Sequence, residues 1–88
     1  MKYVRIPMDR IAVLIGPNGK IKRKIEEKTK IPLEIDSQTG EVSIDDHEAE
    51  DPFIIFKVEN IIRAIGRGFS PEQAFKLLND EFDLFIFD

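Results

Sequence analysis

Cysteine is absent from this 88-residue chain, which removes disulfides, thiolate nucleophiles and cysteine-based metal sites. Histidine occurs once, as His47 in the acidic stretch "DDHEAED". With no second histidine, and without the spacing of a calcium-binding loop, this stretch is expected to be a solvated loop and not a metal site. No serine lies in a nucleophile motif, so neither catalysis nor a cofactor is expected. No apolar run reaches membrane-spanning length, and "MKYVRIPMDR" is too polar for a secretory leader. The expectation is a soluble, cytoplasmic, non-enzymatic domain with one modest core.

What is present is charge, unevenly placed. The net charge of −4 hides a division: residues 1–30 hold nine Lys/Arg against three Asp/Glu, and residues 31–88 hold four against fourteen. The first third is therefore +6 and the remainder −10. Such a split suits one face for an anionic partner and another that repels it.

The order of elements follows from periodicity and punctuation. "KYVRIP" alternates and is closed by Pro7, which predicts a short strand. "RIAVLI" predicts a short buried helix, with Asp9 as its cap and Gly16 as its stop. From Lys20 a helical period resumes through Ile21 and Ile25 and ends near Thr29, because Pro32 disfavours helix before it. "IPLEID" and "EVSID", joined by "SQTG", predict a β-hairpin. Asp51 and Pro52 have the types of a helix cap and first helical residue, ahead of a long helix whose apolar face runs from Ile54 to Ile65. "SPEQ" offers a further start, with Ser70 and Gln73 as a capping box before Ala74, Phe75, Leu77 and Leu78. The predicted class is α+β, with a three-stranded sheet covered by helices on one face.

The stretch "IGPNGKIKRKIEE" then poses a conflict. Lys20, Lys22 and Arg23 occupy the first turn of a helix, whose unpaired N–H groups and dipole disfavour cations by a few tenths of a kcal/mol each. An anion resolves the conflict if backbone N–H groups and cations converge on a phosphate and the flanking glycines permit close approach. Spacing allows ion pairs from Lys22 to Glu26 and from Arg23 to Glu27. Lys20, Lys24 and Lys28 have no acid four residues later and align along one flank. "GPNGK" lacks the spacing and the hydroxyl of a nucleotide-binding P-loop, and it does not fit the dinucleotide fingerprint either.

Gly16 and Gly19, set between two predicted helices, do fit the G-x-x-G clamp that grips single-stranded nucleic acid. "IAVLIGPNGKIKRKIEEKTKIPLEI" resembles the signature of type I KH domains, with Ile15, Ile21, Ile25, Thr29, Leu33 and Ile35 at the family spacing. The resemblance covers residues 1–68 and implies a β-α-α-β-β-α fold. It further implies a groove floored by Ala12, Ile15, Ile21 and Leu33, and a clamp made of Gly16, Pro17, Asn18 and Gly19 with Lys20, Lys22, Arg23 and Lys24. Two departures from the family pattern stand out. Ala12 stands where family members often have glycine, and Pro17 and Asn18 supply no cation, so charge must come from Lys20 onward.

More narrowly, "RIPMDRIAVLIGPNGKIKRKIEEKT", "EIDSQTGEVSI" and "RAIGRGFSPEQAFKLL" resemble the first KH domain of archaeal ribosome-assembly proteins of the Krr and Pno type. That resemblance implies single-stranded RNA, in particular small-subunit ribosomal RNA, as partner, with assembly or initiation proteins beside it. Residues 69–88 are then an extra C-terminal helix and an apolar tail, "FDLFIFD". The tail is expected either to dock as a strand or to form a seam with a second KH domain. The alternative function is a protein-interaction adaptor that docks a partner through the acidic surface or the tail.

Overall fold

Strand β1 (Lys2–Arg5) buries Val4 and leaves Tyr3 and Arg5 in solvent. The computed structural model describes residues 1–76. The order is β1, α1 (Met8–Ile15), a 3-10 turn at Pro17–Gly19, α2 (Lys20–Thr29), β2 (Leu33–Asp36), β3 (Glu41–Ile44) and α3 (Pro52–Gly66). An additional helix occupies residues 71–76. Leu77, Leu78 and the apolar tail lie outside the described residues.

The sheet runs β1-β3-β2 and is antiparallel throughout. Its register sets Val4 beside Val42 and Val42 beside Ile35, with Ile44 beside Leu33 in the next row. Alternation therefore aims all five at one face, where α3 lies against β1 and β3 while α1 packs on α2 and α3. Leu14, Ile25, Val42, Ile44, Val58, Ile61, Ile62 and Ile65 are fully buried between the layers, each contributing roughly 2 kcal/mol of apolar transfer. The outer face carries Tyr3, Arg5, Glu34, Asp36, Glu41 and Ser43, so the sheet turns an acid-rich surface to solvent.

Side chains fix most of the element ends. Asp51 accepts the Phe53 N–H at 2.9 Å with Pro52 in the first helical position. Ser70 and Gln73 exchange reciprocal bonds of 3.3 Å, the capping box expected there. Asp9 is not the cap of α1. The helix begins directly after Pro7, whose backbone holds the cap position without a side-chain bond, and this places Asp9 inside the first turn, where its charge suits the dipole. The end of α2 also has a closer cause than Pro32. Lys30 adopts a left-handed conformation (φ 62°, ψ 24°) and donates its N–H to the Glu26 carbonyl at 2.8 Å. The buried Thr29 hydroxyl donates to the Ile25 carbonyl at 2.7 Å and accepts the Ile31 N–H at 3.3 Å.

Glu59 on α3 links the helix layer to β1. It receives Arg63 Nη2 at 2.8 Å and Lys2 Nζ at 3.5 Å. The Arg63 hydrogen bond, helped by the charges of Lys2 and Arg63, holds its carboxyl below the ordinary value of 4.5 despite the opposing effect of burial. A carboxyl depressed in the folded state stabilises the fold above its unfolded pKa, and that contribution is lost as pH falls through the folded value. Glu59→Gln should therefore lower Tm at neutral pH and flatten the loss of Tm below pH 4.5. Thermal melts at several acidic pH values check this; parallel curves for the two proteins would show that the pair does not couple to folding.

Among the described residues no helix is long and apolar enough to cross a membrane, and no cluster of His, Asp and Glu is arranged to hold a metal ion.

Candidate nucleic-acid interface

The loop between α1 and α2 is shaped by three residues with positive φ. Gly16 stops α1 at φ 75° and ψ 175°, a region that glycine alone occupies readily, and its N–H donates to the Ala12 carbonyl at 2.9 Å. There is also no room for a side chain at Gly16, because a Cβ would overlap Ile21 Cγ1 and come within 2.9 Å of Ile21 Cβ. Asn18 (φ 56°, ψ 28°) and Gly19 (φ 73°, ψ 17°) are both left-handed, and asparagine is among the few side chains that tolerate this. The result is a tight reversal with Pro17 and Asn18 exposed at its tip.

Two of the N–H groups expected to meet an anion are used within the turn itself. Gly19 donates to the Gly16 carbonyl at 3.1 Å and Lys20 to the Pro17 carbonyl. Attraction for an anion therefore rests mainly on side chains. Arg23 does not pair with Glu27. Its Nη2 donates to the Asn18 carbonyl at 2.8 Å and its Nε to the Gly19 carbonyl at 3.4 Å. The left-handed turn offers these carbonyls as fixed acceptors, whereas a cation-first i,i+4 pair is the weaker orientation. Because guanidinium has five N–H donors, Arg23 can brace the turn and still present donors to a phosphate.

The flanks of α2 differ. On one, Lys22 Nζ meets Glu26 Oε1 at 3.5 Å, and Glu26 Oε2 accepts the Leu33 N–H at 2.8 Å, which ties the helix to β2. On the other, about 200° around the helix, Lys24 sets its ammonium 5.1 Å from the ring centre of Phe75 in the added helix. Lys24 is thus directed away from the β2 side, apart from the clamp in which the family resemblance set it. Lys22 lies beside β2, and Lys20 stays close to the turn.

The four floor residues do not share one environment. Ala12 is exposed and Ile15 and Ile21 are half-buried, so these three are open to a ligand near the turn. Leu33 is only 3% exposed and belongs to the core. The helix layer covers it, and what it gives the α2–β2 side is its N–H. Ile35, two residues on and facing the same way, is the half-buried apolar residue of β2. Alternation marks Leu33 and Ile35 alike; their different cover comes from tertiary packing. Glu26 was likewise hidden, because its role depends on a residue seven positions away.

Elsewhere in the positive first third other cations are engaged. Arg10 donates to the carbonyls of Ile65 at 2.7 Å and Phe69 at 2.9 Å, capping the end of α3 and holding the "GRGF" segment on α1. Arg5 approaches Glu41 at 3.9 Å. The cations left without an ion pair among the described residues include Lys20, Lys24 and Lys28, all on α2.

The fold that carries this turn has clear counterparts in known proteins. Dim2p from Pyrococcus horikoshii OT3 superposes with a TM-score of 0.82 and 58% identity, covering 88% of this chain and 47% of that one. The same identity holds against a chain of the a/eIF2α–aDim2p–rRNA complex of that organism, with a TM-score of 0.81 and coverage of 88% and 44%. A KH domain-containing protein of Methanocaldococcus jannaschii is 41% identical over all 88 residues, which span 39% of its length. The chain thus spans less than half of each of these relatives. The family model described as the Krr1 KH1 domain matches residues 7–80. By that match, and by a fold and a glycine turn built as described above, the chain belongs to the Krr1 KH1 domain family.

Proposed function

We propose that this domain binds single-stranded RNA along the Gly16–Gly19 turn and does so in small-subunit ribosomal RNA processing or ribosome assembly. The observation that carries the reading is the turn itself: a glycine-enforced reversal with an exposed tip, Arg23 braced on its carbonyls and Lys20 beside it. The strand's backbone would follow Gly16 to Lys20, its bases would pack on Ala12, Ile15 and Ile21, and Lys22 would meet it on the β2 side. The presence of a similar protein in a complex with ribosomal RNA and an initiation factor supports the setting. On this reading ribosomal RNA is the ligand, and assembly or initiation proteins are neighbours. A single module of this size binds weakly, and tethering to a second would raise affinity through effective concentration.

A salt titration with a tetranucleotide tests this. Neutralising about three phosphates on a single strand gives a log–log slope of about −2. Absence of binding at any salt would leave the adaptor reading, in which the acidic surface from Glu41 to Asp51 or the apolar tail docks a partner.

A further inference from the structure

Lys20, Lys24 and Lys28 form a row of cations at i, i+4 and i+8 along one flank of α2. Neighbouring like charges at this spacing destabilise a helix by a few tenths of a kcal/mol each. All three are exposed, and none makes an ion pair with a described residue. Beyond Lys20, which sits at the turn, the row also lies apart from the groove. The side of α2 that faces β2 is marked by Lys22, Glu26 and the bond to Leu33, whereas the lysine row faces the added helix, as the Lys24–Phe75 contact shows. Lys24, and with it Lys28 one turn on, lies on the side of α2 away from bases resting between the turn and β2.

We infer that this row is a second phosphate track, which takes the single-stranded RNA flanking the few nucleotides held at the glycine turn. The track begins where the turn ends, because Lys20 is the first residue of α2. A strand leaving the turn can therefore continue along the row without crossing the acidic outer face of the sheet. Successive lysines are about 6 Å apart along the helix axis, and the row is about 12 Å long, enough to follow several phosphates of an extended strand. Phe75 fixes the middle ammonium in place by a cation–π contact. The added helix, anchored by its fully buried Ala74, thus helps to form the track. Lysine suits this role: as a compact point charge it neutralises a backbone without reading its sequence.

The inference rests on the RNA-binding reading, and the test separates the two. The double variant Lys24→Gln with Lys28→Gln keeps side-chain length, leaves Lys20, Lys22 and Arg23 in place, and removes two charges from the row. Binding to a tetranucleotide and to a twelve-nucleotide oligouridine is measured against salt, with circular dichroism melts as the control for folding. The expected result is an unchanged tetranucleotide affinity, together with a log–log slope for the longer RNA that is shallower by about 1.4, or about 0.7 per lost phosphate contact. Equal losses on both RNAs would place the row inside the clamp and overturn a second track. An unchanged slope on the longer RNA would show a solvated row and overturn it as well. Failure of the wild type to bind the tetranucleotide would refute the glycine-turn reading, while the longer RNA would still report on the row.

Discussion

Replacing Pro17 and Asn18 together by aspartate should weaken binding to short single-stranded RNA at least about thirtyfold while leaving the circular dichroism spectrum unchanged. Both side chains are exposed, and neither belongs to the core. The bonds that shape the turn, Gly19 to Gly16 and Lys20 to Pro17, run between backbone atoms. Arg23 grips the Asn18 carbonyl and not its side chain, so that brace also survives. Aspartate tolerates the left-handed position almost as well as asparagine, and the loss of proline rigidity costs about 0.4–1 kcal/mol. Two carboxylates at the tip would meet an incoming phosphate with like charge, each by about 1 kcal/mol at close range in water. The total of about 2 kcal/mol is the thirtyfold stated. Lys20 would also turn towards the new acids, making the effect larger at low salt. Fluorescence anisotropy with a labelled tetranucleotide reads the result. Undiminished binding would remove the turn from the interface.

Much of this architecture was legible in the sequence, because the signals that mark it are local. Alternation around Val4 and Val42, the stop at Gly16, Pro52 behind Asp51 and the Ser70–Gln73 box each act within a few residues, and each element starts or ends where they place it. The α1 cap was misread by two positions because Pro7 itself can open a helix, a use that its closing of the strand concealed. Lys30 gave no sign of a left-handed backbone, since the geometry that requires it is the turn of α2 into β2. Lys57 would be sent to solvent by its charge, yet it is buried at the margin of the α3 stripe.

The site was legible in type and less so in assignment. Placing cations on a helix start pointed to an anion, but which cation does what depends on distant partners. Arg23 is taken by the turn, Lys22 by Glu26, Arg10 by the end of α3, and Lys24 by an aromatic ring some fifty residues further along. Long, flexible side chains choose among acceptors that only the fold brings near, so spacing along one helix lists candidate pairs without ranking them. Leu33 shows the same limit for apolar residues, being identical in pattern to Ile35 and different in burial.

The two glycines of the turn make the sharpest contrast between motif and structure, since the motif treats them alike. Gly16→Ala should destabilise the domain by about 2–4 kcal/mol, combining strain in a region that side chains rarely enter with the displacement of packed Ile21. Gly19→Ala should cost only about 1 kcal/mol, the price of a left-handed backbone with a side chain, because nothing lies within 4 Å of a Cβ there. For a domain whose whole stability is on the order of 5–10 kcal/mol, the first change should shift the urea midpoint far more than the second. The cause can be isolated by combining Gly16→Ala with Ile21→Ala. Removing Cγ1 relieves the worst of the overlap and leaves the close approach of Cβ at 2.9 Å, so Ile21→Ala should be somewhat less damaging beside Gly16→Ala than alone, and the coupling should favour the double variant. Additive losses would assign the whole cost to backbone strain. Equal losses for the two glycine variants would mean that the turn relaxes around Ile21. With Gly19→Ala still folded, its RNA affinity then reports on the backbone alone: binding that falls without a matching loss of stability places the strand against Gly19 at a distance that a methyl group does not allow.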